Sequence, residues 1–281
     1  MNPTIDLILS HRSIRQFTPE PISASQLDQI LSAAQSASSS SFLQANSIIR
    51  VTDKGLRATL AELAGHQAYV AEAAEFLLFC ADYQRHSQIV PEAQTGFVEQ
   101  LMIGAIDGAL MAQNALLSAQ SLGLGGVYIG GIRNNPAAVS ELLGLPHQVI
   151  PLFGLCLGHP AQQPEQKPRL PRALVVHENR YPETLDRALL AQYDSQIHDY
   201  YLARSSNNKV QTWSGQIKAI LGKEARPFML GFLQSKGFCL KSWGRRALWS
   251  MRPRSSPSPR LPCVVVRQGA IWALPYAGKL L

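Results

Sequence analysis

The sequence has no G-x-G-x-x-G turn after an extended apolar run and no G-x-x-x-x-G-K-[ST] loop, so neither a Rossmann nor a P-loop nucleotide site is signalled. H-E-x-x-H and G-x-S-x-G are also missing and the seven histidines are dispersed, which leaves zinc-dependent and triad hydrolysis without support. Only four cysteines occur (Cys80, Cys156, Cys239, Cys263), none in a C-x-x-C pair, so no metal site and no dithiol chemistry are expected. Cys80 and Cys156 lie in apolar runs as buried free thiols would, and no basic segment leads into an apolar core near the N-terminus. A reducing cytoplasm is the expected compartment. Charge is sparse at 16% of residues, and acidic side chains disappear after residue 241, where seven basic residues have no acidic counterpart. The remaining 19 basic residues equal the 19 acidic ones, so the net charge of +7 belongs to that last stretch and the body is neutral. A nucleic-acid partner for the body is therefore not expected, although a pI near 9.4 would suggest one.

What is present fits a packed protein: 46% hydrophobic residues over 281 positions suffice for one large domain. Short apolar runs at residues 47–51, 75–81, 127–129 and 149–158 have strand character. They alternate with helical patterns at residues 5–9, 23–37, 54–64, 97–122, 136–144, 185–203, 213–221 and 227–235. The run at 75–81 reads as a central strand covered on both faces. Interleaving of this kind indicates a mixed α/β or α+β class. The 97–122 helix is apolar enough to resemble a membrane span, but Asp107, Gln113 and Asn114 interrupt it. Its Gly104, Gly108 and Ala112 form a stripe that permits close backbone approach, either within a subunit or across a dimer, with the intramolecular contact the more common case. Residues 242–281 differ in kind. They carry three of the four tryptophans and five of the 18 prolines, and read as a disordered appendage rather than a nucleic-acid-binding arm.

Several segments could meet an anionic, aromatic ligand. His11-Arg12-Ser13-Ile14-Arg15 concentrates cations and a hydroxyl, and alternate residues of an extended segment share a face. Tyr128-Ile129-Gly130-Gly131 ends a strand with two glycines, which lets main-chain N–H groups approach a ligand. Lys167-Pro168-Arg169 places two cations on a stiff loop, and Gln67 could bond a ring edge. Each has an ordinary alternative: a helix end, a turn, a solvated loop, a surface amide.

Taken together, and joined by residues 38–44, 113–116, 122–131, 152–158, 167–171, 191–194 and 226–228, these stretches resemble the bacterial oxygen-insensitive NADPH nitroreductases and NADPH–flavin reductases of the nitroreductase superfamily. The resemblance covers residues 1–241 and implies an α+β fold, with a central mixed sheet flanked by helices, in an interlocked homodimer with FMN at the interface. It assigns His11, Arg12, Ser13 and Arg15, with Lys167 and Arg169, to the flavin phosphate and ribityl chain. Tyr128, Ile129, Gly130, Gly131 and Gln67 would line the ring, and Ser39 would come from the partner subunit. Ser41, Phe42 and Arg226 would border the acceptor, and Arg204 and Lys209 would favour the NADPH 2′-phosphate. Lys209 stands in an Asn207-Asn208-Lys209-Val210 run where the family commonly has arginine, a better fork for phosphate. The small-residue helix would then belong to the dimer core. The implied activity is ping-pong two-electron reduction of nitroaromatics by NADPH, with quinones, chromate or free flavin as further acceptors and no catalytic side chain beyond the cofactor. The alternatives are a reductase that supplies reduced FMN to another enzyme and a non-catalytic flavin- or nucleic-acid-binding protein.

Overall fold

A computed structural model describes residues 2–204 and 208–240. The reading of residues 242–281 as a disordered appendage, and Asn207 of the run at 207–210, lie outside the described residues.

Four strands form the sheet: β1 (Asn46–Arg50), β2 (Glu75–Asp82), β3 (Gly125–Ile129) and β4 (Val149–Gly158), in the order β1-β2-β4-β3. Every pairing among the described residues is antiparallel, which corrects the expectation of a mixed sheet and leaves the α+β class intact. β2 and β4 are central and almost wholly buried because both faces are covered, as the unbroken apolar run at 75–81 required. The pleat of β2 then sorts side chains. Phe76, Leu78 and Cys80 enter one core with Val127, Ile129 and Cys156, whereas Leu77 and Phe79 enter the other with Leu155 and Leu157. Truncating a fully buried ring such as Phe76 or Phe79 to alanine costs about 3–5 kcal/mol.

One face is covered by α3 (Lys54–Leu63), the single-turn α4 (Tyr69–Glu72) and α7 (Pro136–Leu142). The other is covered by α2 (Ala24–Gln35) and α6 (Val98–Ser121). Helix starts follow their capping residues. Ser23 and Gln26 form a capping box on α2, Asp53 caps α3, and Asn135 caps α7 just before Pro136. The remaining helices are α1 (Pro3–Leu9), α5 (Gln84–Ile89), α8 (Arg187–Ala203), α9 (Trp213–Leu221) and α10 (Met229–Ser235).

The glycines of α6 face their own sheet. A Cβ on Gly104 would lie 2.6 Å from the Ala81 Cβ, and one on Gly108 would lie 2.8 Å from Asn46 Nδ2 and 2.9 Å from Leu152 Cδ1. The stripe is thus an intramolecular contact. Asn46 fastens it by donating to the Gly104 carbonyl at 2.8 Å and to the Cys80 carbonyl at 3.1 Å. α6 is long and apolar enough to cross a membrane by length and composition alone, but here it roofs the sheet with Asp107 buried. Its outward residues Met102, Ile106 and Leu110, four apart, stay exposed.

Candidate functional site

After α1 the chain turns extended, and Ile14 fixes its course. Ile14 is buried against Gly125, where a Cβ would lie 2.9 Å from its own, and its N–H donates to the Gly126 carbonyl at 3.0 Å. With Ile14 locked inward beside β3, its neighbours His11, Arg12, Ser13 and Arg15 line a cavity of about 230 Å³. The proline-rich loop supplies Lys167 and Arg169, α8 supplies Tyr200 and Tyr201, and Arg204 follows directly after the helix. The loop is held by Tyr193 Oη, which donates to the Pro168 carbonyl at 3.1 Å, and by Tyr200 Oη, which donates to the Glu165 carbonyl at 3.5 Å. Among the described residues, five cations and one acidic residue, Glu165, line this space. Guanidinium forks, an ammonium and a serine hydroxyl form a donor set that fits a phosphate. Burial, the positive charge of Arg169 and a partly offsetting hydrogen bond from Gln120 leave the His11 pKa below its ordinary value. His11 is therefore a neutral partner at pH 7, and the arginines and lysine carry the charge.

At the far end of β3 the chain enters a 3-10 turn over Gly130–Asn134. A Cβ on Gly131 would collide with the Ala64 carbonyl oxygen and with Gln67 Nε2, so only glycine lets the turn lie on the end of α3. Gln67 is oriented from both sides: Nε2 donates to the Ala64 carbonyl at 2.5 Å, and Oε1 accepts from Tyr69 Oη at 2.5 Å. One amide N–H remains for a ligand. Ile129 is fully buried in the core. Tyr128 points the other way, its ring edge-on to Phe153 and its hydroxyl donating to Gln113 Oε1 at 3.3 Å. Burial pushes the Tyr128 phenol up to about 12, so it stays protonated and offers a surface rather than a base.

Arg226 arrives here from the segment before α10. Its Nη2 donates to Asn134 Oδ1 at 2.8 Å and reaches the Gly130 carbonyl at 3.4 Å, with φ at +59°. Arg133, which sequence reasoning missed, joins it by donating to the Leu152 carbonyl. Burial and then the charge of Arg226 lower the Arg133 pKa. Both guanidinium groups line a cavity of about 420 Å³, otherwise walled mainly by apolar groups such as Leu152, Phe153 and Met229. The available signal was a lone basic residue directly after two glycines and an isoleucine.

Ser39 and Phe42 line a different cavity, of about 710 Å³, with Asp107, Met111 and His86. Ser41, Phe42 and Gln44 all have left-handed backbones, at φ +47°, +56° and +53°, a conformation that side chains other than glycine disfavour. Two clamps hold the loop there. Asp107 Oδ2 accepts from Ser39 Oγ and from the Ser40 N–H, each at 3.0 Å, and His86 Nε2 donates to the Leu43 carbonyl at 2.6 Å. Ser39 Oγ in turn accepts from the Gln44 N–H at 2.7 Å. Asp107, read from sequence as a mere interruption of an apolar helix, is thus a buried clamp.

Within one chain the fold therefore gathers His11, Arg12, Ser13, Arg15, Lys167, Arg169 and Arg204 at one cavity, and Gln67, Gly130, Gly131 and Arg226 at the end of β3. It does not bring Ser39, Ser41 and Phe42 to either place. Lys209 is exposed and outside the cation cavity, and its N–H donates to the Tyr201 carbonyl at 3.4 Å.

Comparison with known proteins gives the arrangement a family. Residues 8–159 match the nitroreductase family and residues 167–241 match the nitroreductase family C-terminal domain. The chain is 58% identical to the oxygen-insensitive NADPH nitroreductase of Salmonella typhimurium over 241 residues, which cover 86% of this chain and 100% of that protein. It is 56% identical to the NADPH-flavin oxidoreductase of Vibrio harveyi, over 84% of this chain and 98% of the relative. The crystal structure of nitroreductase A from Vibrio parahaemolyticus superposes with a TM-score of 0.82 at 54% identity, covering 86% of this chain and 100% of that one. The chain belongs to the nitroreductase family.

Proposed function

We propose that the protein is an NADPH-dependent flavin oxidoreductase that binds FMN and reduces nitroaromatic compounds. The observation that carries the reading is the cavity where His11-Arg12-Ser13-Ile14-Arg15 meets Lys167 and Arg169, lined by five cations against one acidic residue. A phosphate of about −2 charge suits that imbalance. The bound flavin supplies the two-electron chemistry, which explains why the site offers binding groups rather than a nucleophile.

The chain's own groups position and exclude. Arg12, Ser13, Arg15, Lys167 and Arg169 hold the phosphate and ribityl chain. Gly130 and Gly131 present main-chain groups to the ring, and Gln67 is braced by Ala64 and Tyr69 to meet its edge. Arg226 and Arg133 give the acceptor space a positive wall suited to a nitro group or a quinone oxygen. Arg204 selects the 2′-phosphate of NADPH, with Lys209 a lesser contributor because it stands outside the cavity. Ser39, Ser41 and Phe42 complete the site from a second copy of the chain. Their separate cavity and the exposed row Met102, Ile106 and Leu110 support a homodimer. Cytoplasmic residence agrees with the buried free thiols Cys80 and Cys156. Residues 242–281 lie beyond the last residue matched by the family, at 241, and are proposed to be dispensable.

Anaerobic titration tests the reading. The purified yellow protein should bleach with NADPH and recover its colour when nitrofurazone is added. A protein that stays colourless after incubation with FMN would overturn it. Recovery with added FMN but not with nitrofurazone would shift the assignment to a flavin reductase.

A further inference from the structure

Tyr201 lines the cation cavity, and two of the cavity's cations, Lys167 and Arg204, meet its side chain. Tyr193, Ile197 and Tyr201 follow one another at intervals of four along α8, and all three are buried. This stripe docks the last two turns of α8 and brings the Tyr201 ring and hydroxyl to the cavity wall. Three attachments converge on the residue. Lys167 Nζ donates to the Tyr201 hydroxyl at 2.8 Å. The Arg204 guanidinium lies 5.8 Å from the Tyr200 ring centroid and 6.0 Å from that of Tyr201, two rings 5.4 Å apart and inclined by 63°. The Tyr201 carbonyl accepts the Lys209 N–H at 3.4 Å.

The two cations use different parts of the tyrosine. Lys167 Nζ is 2.8 Å from the phenol oxygen but 5.1 Å from the ring centroid, so it lies beyond the hydroxyl and not over the ring face. The ammonium spends one N–H on the phenol and keeps two for a phosphate. Arg204 instead rests against aromatic faces, which attract a cation while leaving the edge N–H groups free to meet an anion. Its Nε is buried with no hydrogen-bond partner among the described residues, so the rings hold this arginine rather than a polar anchor at its neck.

We propose that Tyr201 is a positioning residue that serves two phosphates separately: its hydroxyl sets Lys167 for the flavin phosphate, and its ring, with that of Tyr200, sets Arg204 for the 2′-phosphate of the nicotinamide donor. The inference rests on the site reading given above. It predicts a separation that a merely structural tyrosine would not produce. Tyr201→Phe removes the hydroxyl and keeps the ring, so the Kd for FMN, read from the fluorescence of released flavin, should rise roughly three- to tenfold. The Kd for adenosine 2′,5′-bisphosphate, read by calorimetry, should stay within about twofold of wild type. Tyr201→Leu removes both parts and should weaken both ligands by at least a few fold.

Because Tyr201 is buried, a Leu variant that fails to fold leaves the Phe variant and a double-mutant cycle to decide. Lys167→Met with Tyr201→Phe should bind FMN no worse than Lys167→Met alone, since the hydroxyl acts through Lys167. Additive losses, an unchanged FMN affinity in Tyr201→Phe, or equal weakening of both ligands by that variant would overturn the proposal. Arg204→Ala separates its failure from that of the underlying reading. If Arg204→Ala leaves bisphosphate binding intact, the assignment of Arg204 is wrong. If Arg204→Ala weakens it while a folded Tyr201→Leu does not, the role given to Tyr201 is wrong.

Discussion

The cation cavity around Lys167 and the loop that carries Ser41 and Phe42 are built by opposite means. The cavity draws on three segments remote in sequence, whose lining residues are not among those with left-handed backbones, and its tension is electrostatic: like charges held together with little acid among them. The loop is one contiguous stretch with hardly any charge, and its tension is conformational, in three left-handed residues clamped by Asp107 and His86. A cluster of cations is relieved by an anion, so the first region is suited to retain a permanent ligand. A loop pinned from behind with Phe42 78% exposed presents a fixed surface to transient visitors, so the second suits acceptors that come and go.

Removing charge from the first region should have the largest effect. Lys167→Ala with Arg169→Ala should weaken FMN roughly a thousandfold, because each charge-assisted hydrogen bond contributes about 1.5–3 kcal/mol. Equilibrium dialysis against free FMN measures this, and a loss below tenfold would contradict the division. Releasing the loop should act on the acceptor instead. Asp107→Leu leaves the Ser39 hydroxyl and the Ser40 N–H without their acceptor and should raise the KM for nitrofurazone about tenfold, with a much smaller change in FMN affinity. Asp107→Asn should largely restore it, since both donors use a single oxygen, Oδ2, that an amide carbonyl can replace. Equal losses in the Leu and Asn variants would show that the clamp is not what matters. Within the cavity, Arg204→Ala should raise the KM for NADPH by about tenfold and leave that for NADH nearly unchanged, whereas Lys209→Ala should shift either by less than about twofold.

The smallest effect concerns acid. His11 has its pKa held below the ordinary value of 6.5 mainly by burial and the charge of Arg169, so its neutral form is the one the fold accommodates. That contribution to stability is present above the ordinary pKa and is lost as the pH falls towards the lowered value. Melting of the flavin-free protein should therefore decline below about pH 6.5 more steeply in wild type than in His11→Asn. Parallel curves would show that His11 does not sense its surroundings in this way.

How far these regions could be read in advance follows from what each is made of. β2, β4, α2 and α6 are long or strongly patterned, and the capping residues Ser23 and Asn135 mark helix starts to within a residue. α4 and α5, of four and six residues, have no side-chain cap and too few turns to set up a period, so nothing announced them. The cation cavity was legible in pieces, because Arg, Lys and Ser at close spacing have few uses besides anions and solvent. That Ile14 turns inward to lock His11-Arg12-Ser13 in place was not, since its partner is a glycine with no side chain to signal it. The strained loop was invisible for a related reason: a run of serines gives no hint that its last member, Ser41, and then Phe42 and Gln44 will adopt positive φ. The roles of Arg133 and Asp107 escaped notice because their partners are main-chain or hydroxyl groups, which occur at every position or too commonly to single out.

The contact of Gly104 and Gly108 with the sheet bears on how this chain can vary. Neither residue lines a cavity described above, yet at both positions the smallest possible side-chain carbon would press into a neighbour, the Ala81 Cβ in one case and Asn46 with Leu152 in the other. A mutational survey should find these two glycines among the least forgiving positions of α6, while Met102, Ile106 and Leu110 on its outward side accept exchange among apolar residues. At these two glycines tolerance to substitution is thus set by closeness to the sheet, whereas Asp107 between them is constrained by the loop it clamps.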